Sequence, residues 1–216
     1  DVKANFISRV KKHFFKKSTH IIEDNSVLFE ISKLDISKDW YLDGYWQAIW
    51  YFKNSVSELK ELFFPLKQYQ VFRSNIEKRF PKMRLCSVHV RRGDYVKDGV
   101  MSCQDISWYF KCIEEYKQKF PESKIILVSD DIPFCKEQFS KYNYVSFCDW
   151  NKTSFDDLYT LAVCDDHILS NSTFSYWGAL LSRQEGITVY PANWFGIGDA
   201  KLRGDTMFPE EWLCEE

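Results

Sequence analysis

Leu85-Cys-Ser-Val-His-Val-Arg-Arg-Gly-Asp94 is an apolar, strand-like run that ends in two arginines, a glycine and an aspartate. Alternation and β-branched content predict a buried strand over 85–90, and Gly93 marks a turn just beyond it. Ligands of open α/β sheets bind in the crevice beyond the carboxyl ends of the strands, which is where Arg91 and Arg92 emerge. Two adjacent guanidinium forks match phosphate oxygens in a way an ammonium cannot, so a diphosphate is the natural ligand for them. The same residues also suit structural ion pairs with Asp94 and other carboxylates, and the ten residues alone leave both readings open.

Outward from this strand the chain alternates. Helical patterns span 108–120, 134–140, 156–163 and 174–182, and strand patterns span 124–129, 144–147, 167–170 and 187–190. That order implies βαβ units: an α/β fold with a parallel sheet and helices on both faces. Residues 81–216 therefore form a Rossmann-like lobe. Upstream, 54–80 reads as two helical runs divided at Pro65 and stopped before Pro81. Residues 3–17 carry six Lys or Arg around Phe6, Ile7, Val10, Phe14 and Phe15. This basic amphipathic pattern suits either a core-facing helix with a solvated side or peripheral contact with an anionic membrane.

Composition narrows the class. A 216-residue chain with 45% hydrophobic residues is globular, and its net charge of −2 argues against general nucleic-acid binding, so phosphate recognition has to be local. No apolar run is long enough to span a bilayer, and no signal-peptide pattern opens the chain. The seven cysteines are scattered without a CxxC pair or zinc spacing, which favours reduced thiols in a cytoplasmic protein. Cys86, Cys112 and Cys164 fall in apolar runs and read as core. Asp130-Asp131, Asp156-Asp157 and Asp165-Asp166 are adjacent pairs rather than an Asp-x-Asp clasp, so no metal is expected and arginine is left as the electrophile.

A second stretch lies downstream: Asp156-Asp-Leu-Tyr-Thr-Leu-Ala-Val-Cys-Asp-Asp-His-Ile-Leu-Ser-Asn-Ser-Thr-Phe-Ser-Tyr-Trp-Gly178. With His89-Val-Arg-Arg-Gly-Asp94 before it, the chain resembles the family 11 glycosyltransferases, the α-1,2-fucosyltransferases that use GDP-fucose. Tyr41-Leu-Asp-Gly-Tyr-Trp-Gln47 and Val128-Ser-Asp-Asp131 extend the resemblance over most of the chain from about residue 40. The glycine-rich segment Gly-Gly-Leu-Gly-Asn-Gln that usually opens the family is not found, so the acceptor side is not carried by the resemblance. What the resemblance implies is a GT-B architecture, with 81–216 as the donor lobe and 1–80 as the remainder of the acceptor lobe and its crossover.

The resemblance also assigns roles. Arg91 is the first choice for the β-phosphate, with Arg92 supporting the diphosphate or the local fold. His89 hydrogen-bonds guanine or ribose, or is a satisfied strand-end residue. Asp157 matches the N1 and N2 donors of guanine, although Asp156 and Asp157 are equally suited to capping their helix. Ser172, Thr173, Phe174 and Ser175 follow a strand and open a helix, where amides and hydroxyls converge on an anion. Tyr176 and Trp177 read as packing behind the site. Forming an α-fucoside from GDP-β-L-fucose inverts the anomeric centre and needs a proton acceptor, for which Asp94 and Asp98 lie nearest the arginines.

The expected activity is metal-independent transfer of L-fucose from GDP-fucose to the 2-hydroxyl of a galactose-containing glycan. Two alternatives stand beside it. One is a GDP-sugar transferase of the same fold with another linkage or acceptor. The other is a non-catalytic carbohydrate-binding module that uses the eight tryptophans as sugar-stacking faces.

Overall fold

A computed structural model describes residues 19–23, 33–98, 102–195 and 207–216, apart from the side chain of Asp98. The basic stretch at 3–17 lies outside these residues. The chain forms two compact units, Asp1–Tyr51 and Phe52–Glu216. In the first, β1 (His20–Ile22) pairs in parallel with β2 (Tyr41–Asp43). The Glu23 carboxylate accepts the amides of Tyr45 and Trp46 at 2.7 and 3.0 Å. Gly44 sits against that carboxylate: a Cβ there would lie 2.3 Å from Glu23 Cβ.

The second unit begins with α1 (Val56–Phe63) and α2 (Leu66–Arg79), separated at Pro65 as expected. There follow β3 (Leu85–Val90), α3 (Gly93–Asp98), α4 (Ile106–Lys119), β4 (Lys124–Ser129), α5 (Ile132–Gln138) and β5 (Val145–Phe147). The chain continues through α6 (Ser154–Ala162), β6 (Asp166–Ile168), α7 (Thr173–Leu180), β7 (Thr188–Pro191) and β8 (Leu213–Glu215). The compact units divide after Tyr51. The reason is packing: Phe64, Tyr69 and Ile76 share a core with Leu85, Ile126 and Leu161.

Every strand pairing in the six-stranded sheet is parallel, in the order β5-β4-β3-β6-β7-β8. This is the doubly wound order, and its topological switch falls between β3 and β6. Alternation along the central strands feeds two cores. Cys86, Val88, Val90, Ile125 and Leu127 pack with α4 and α5, whereas Leu85, Ile126 and Val128 pack with α2 and α6. Each fully buried aliphatic side chain contributes roughly 1.5–3 kcal/mol, so the two central strands are the main apolar anchor of the lobe.

The helix starts are set by local polar chemistry. Asp105 accepts the Ser107 amide at 2.7 Å before α4, and Asp131 accepts that of Phe134 at 3.2 Å before α5. Cys86, Cys112 and Cys164 are buried as expected, and burial pushes the Cys112 thiol up to about 12, so it stays protonated. Among the described residues, no helix is long and apolar enough to cross a membrane.

Candidate functional site

His89 and Ser170 join the two strands of the switch, with His89 Nδ1 2.7 Å from Ser170 Oγ. Both side chains are buried, and the His89 ring lies 5.4 Å from that of Phe174 at the start of α7. Burial, with help from the Arg91 charge and against the pull of Asp130, lowers the His89 pKa to about 4. The ring is therefore neutral near pH 7 and retains one donor and one acceptor.

Arg91 and Arg92 leave the end of β3 into a set of three carboxylates. Arg91 divides its fork, with Nη2 2.7 Å from Asp94 Oδ1 and Nη1 2.8 Å from Asp130 Oδ2. Arg92 Nε lies 3.1 Å from Asp131 Oδ2, and its guanidinium sits 3.4 Å from the centre of the Phe134 ring. Asp130, at the end of β4, also accepts the amides of Arg92 at 2.9 Å and Gly93 at 3.0 Å. Gly93 is required by this approach, because a Cβ would stand 2.6 Å from Asp130 Oδ2. Both arginines thus make the ion pairs that the sequence left open beside anion binding.

The opening of α7 follows β6, the strand that pairs with β3. Ser172 is its N-cap and accepts the Phe174 amide at 3.3 Å. Ser175 is buried, and its hydroxyl donates to the carbonyls of Ser170 and Ser172 at 3.1 and 2.9 Å. That geometry ties the turn together. Thr173 is exposed in the first turn, with Phe174 half-buried beside it. Tyr176 is buried and donates to the Met207 carbonyl at 3.0 Å, while Trp177 stacks on Phe52 at 5.4 Å. Both pack as expected.

At α6 the two adjacent aspartates part company. Asp156 forms a capping box with Thr153, accepting its amide at 3.0 Å and its hydroxyl at 2.8 Å. Asp157 instead accepts the side-chain amide of Asn151 at 2.9 Å, and burial raises its pKa. Asp98 closes α3, and its side chain lies outside the described residues.

The structure gives roles to residues that the sequence reading had left without one. Asp130 and Asp131 are the partners of the two arginines. Tyr95 donates to the Asn171 carbonyl at 2.9 Å, and so links α3 to the loop between β6 and α7. Their signal was parity with the arginines: Val128-Ser-Asp-Asp131 is the carboxyl end of the neighbouring parallel strand. Among the described residues, no group of three or more His, Cys, Asp or Glu is arranged to hold a metal ion.

The sequence matches the profile described as Glycosyl transferase family 11 over residues 4–216, and the chain belongs to that family. It is 32% identical over 184 residues to an alpha-1,2-colitosyltransferase of Escherichia coli, covering 79% of this chain and 60% of that protein. It is 27% identical over 139 residues to galactoside alpha-(1,2)-fucosyltransferase 1 of Homo sapiens, covering 58% of this chain and 37% of that one. Among solved structures, fucosyltransferase NodZ from Bradyrhizobium aligns with a TM-score of 0.36 at 18% identity, covering 54% of this chain and 42% of that chain. The matched region thus spans 60% or less of either curated relative.

Proposed function

We propose that the chain carries the donor-binding lobe of a GT-B glycosyltransferase that moves L-fucose from GDP-fucose to the 2-hydroxyl of a galactoside. The observation that carries this reading is the switch between β3 and β6 in a family 11 chain, where Arg91 and Arg92 leave β3 and His89 meets Ser170 and Phe174 at the start of α7. Cleaving the sugar–phosphate bond leaves added negative charge on the diphosphate. Arg91 is the donor that meets this charge, with Arg92 and the Ser172–Thr173 helix start supporting it. Neutral His89 offers a hydrogen bond to the ribose or base, and Asp157 accepts from guanine N1 and N2. Asp94 or Asp98 takes the proton of the attacking hydroxyl as the anomeric centre inverts. Because fixed guanidinium charge does this work, turnover is expected to need no metal. Residues 1–80 are proposed as the remainder of the acceptor lobe and its crossover, with α1 and α2 as the crossover helices that pack on the donor lobe.

A second reading keeps the linkage and changes the sugar to colitose, favoured by the 32% identity to the colitosyltransferase. A sugar-binding module is less well served, because all eight tryptophans are buried or half-buried. The test is incubation with GDP-fucose or GDP-colitose and a panel of galactosides, with and without EDTA, followed by linkage analysis of the product. An α-1,2-fucoside formed in EDTA is expected. Colitose transfer alone selects the second reading, and turnover that EDTA abolishes and magnesium or manganese restores overturns the arginine mechanism.

A further inference from the structure

We infer that Asp94 holds, on the Arg91 guanidinium, the position that an incoming diphosphate takes, so that nucleotide binding exchanges one carboxylate partner of Arg91 and keeps the other. This rests on the nucleotide reading of the site and says how it is loaded.

The two partners of Arg91 are built differently. Asp130 accepts three donors at once: the Arg92 amide on Oδ1, and the Gly93 amide and Arg91 Nη1 on Oδ2, at 2.8–3.0 Å. Its departure would strand two backbone amides, each of which needs an acceptor. Gly93 has no Cβ to hold this carboxylate off. Asp94 has none of these ties. It reaches Arg91 Nη2 at 2.7 Å from three residues away, and among the described residues its carboxylate pairs with nothing else. Its side chain is 52% exposed, against 27% for Asp130.

Exposed pairs of this kind are weak and give way readily, whereas a phosphate offers the same fork a stronger, charge-assisted partner. The exchange is therefore downhill and local. It frees the Asp94 carboxylate at the moment the donor arrives, next to the phosphate that will leave. Arg91, still pinned through Nη1 to Asp130, keeps its aim throughout.

Calorimetric titration with GDP, run to millimolar ligand so that weakened variants stay on scale, tests this on the full chain. Asp94→Asn should bind GDP about two- to five-fold more tightly than wild type, the range of one exposed ion pair. The gain should vanish when Arg91 is also replaced, in Asp94→Asn/Arg91→Gln compared with Arg91→Gln. A gain that persists without Arg91 means Asp94 acts by general repulsion, and an unchanged or weaker Asp94→Asn means it does not compete; either overturns the exchange. Wild type that binds no GDP removes the nucleotide reading itself, and the exchange with it.

Discussion

At the amino end of the sheet Arg84 forks onto Asp166 at 2.6 and 2.7 Å; at the carboxyl end Arg91 splits its fork between Asp94 and Asp130 at 2.7 and 2.8 Å. The pair types and distances are alike, but the surroundings are not. Asp166 is 1% exposed and also accepts the Tyr116 hydroxyl at 2.6 Å and the Ile187 amide at 2.7 Å. Arg73 similarly closes on Asp165, whose other oxygen takes the Leu85 amide. These groups are saturated by one another and hold the register of β3, β6 and β7. At the other end the carboxylates are partly open to solvent. One chemistry therefore serves as a clamp where it is buried, and where it is not it has the exposure that the proposed receptor role needs.

The sharpest way to break this contrast is to remove one carboxylate from each end. Asp166→Ala strands the Tyr116 hydroxyl and the Ile187 amide and leaves Arg84 to rehydrate through its exposed side. The expected loss in urea unfolding is about 3 kcal/mol, the lower end for breaking a buried pair. Asp94→Ala should change stability by less than about 1 kcal/mol. Equal losses would show that the carboxyl end is a structural clamp as well.

The next largest effect belongs to Arg91. Arg91→Ala should lower turnover by roughly 10²–10³, the scale for removing one preorganised donor to developing charge, with the unfolding midpoint little changed. Arg91→Lys should recover little, because the ammonium keeps the charge but cannot meet Asp130 and a phosphate with one planar fork. Near-normal turnover in the lysine variant, or unfolding of both variants, would move Arg91 to the clamp side of the comparison.

The central strands were legible because Leu85–Val90 and Lys124–Ser129 are short, largely apolar runs rich in β-branched residues, and the order of elements then implied a parallel sheet. Helices bounded by Pro65, Pro81 and hydroxyl or aspartate caps were legible for similarly local reasons. What escaped was decided by distant partners. Gly93 read as a turn, yet it opens α3, because Asp130 from another strand takes its amide. β8 is three residues long and largely exposed, so no periodicity marks it; its pairing with β7 defines it. The two arginines were visible as a pair, but Asp130 and Asp131 each lie 39 residues beyond the arginine they meet and become neighbours only through parallel pairing of β3 with β4. The division near Tyr51 was hidden because α1 and α2 carry helix signals that do not say which core they join.

The smallest effects separate Asp156 from Asp157, which sequence could not do because both open one helix. Asp156 completes the capping box with Thr153. Asp156→Ala should therefore lower the urea unfolding midpoint and leave nucleotide preference alone. Asp157 makes no cap; its half-buried carboxylate faces Asn151, and burial raises its pKa. Asp157→Asn keeps the shape but exchanges one acceptor oxygen for a donor amide. It should leave stability within about 0.5 kcal/mol. Because guanine presents two donors and the variant offers a single acceptor oxygen, the preference for GDP over UDP or ADP should fall by about two- to ten-fold, the net worth of one hydrogen bond. The reverse pattern, with selectivity lost in Asp156→Ala and stability lost in Asp157→Asn, would exchange the two roles. Unchanged selectivity in both variants would confine this helix start to capping and leave recognition of the base to another part of the crevice.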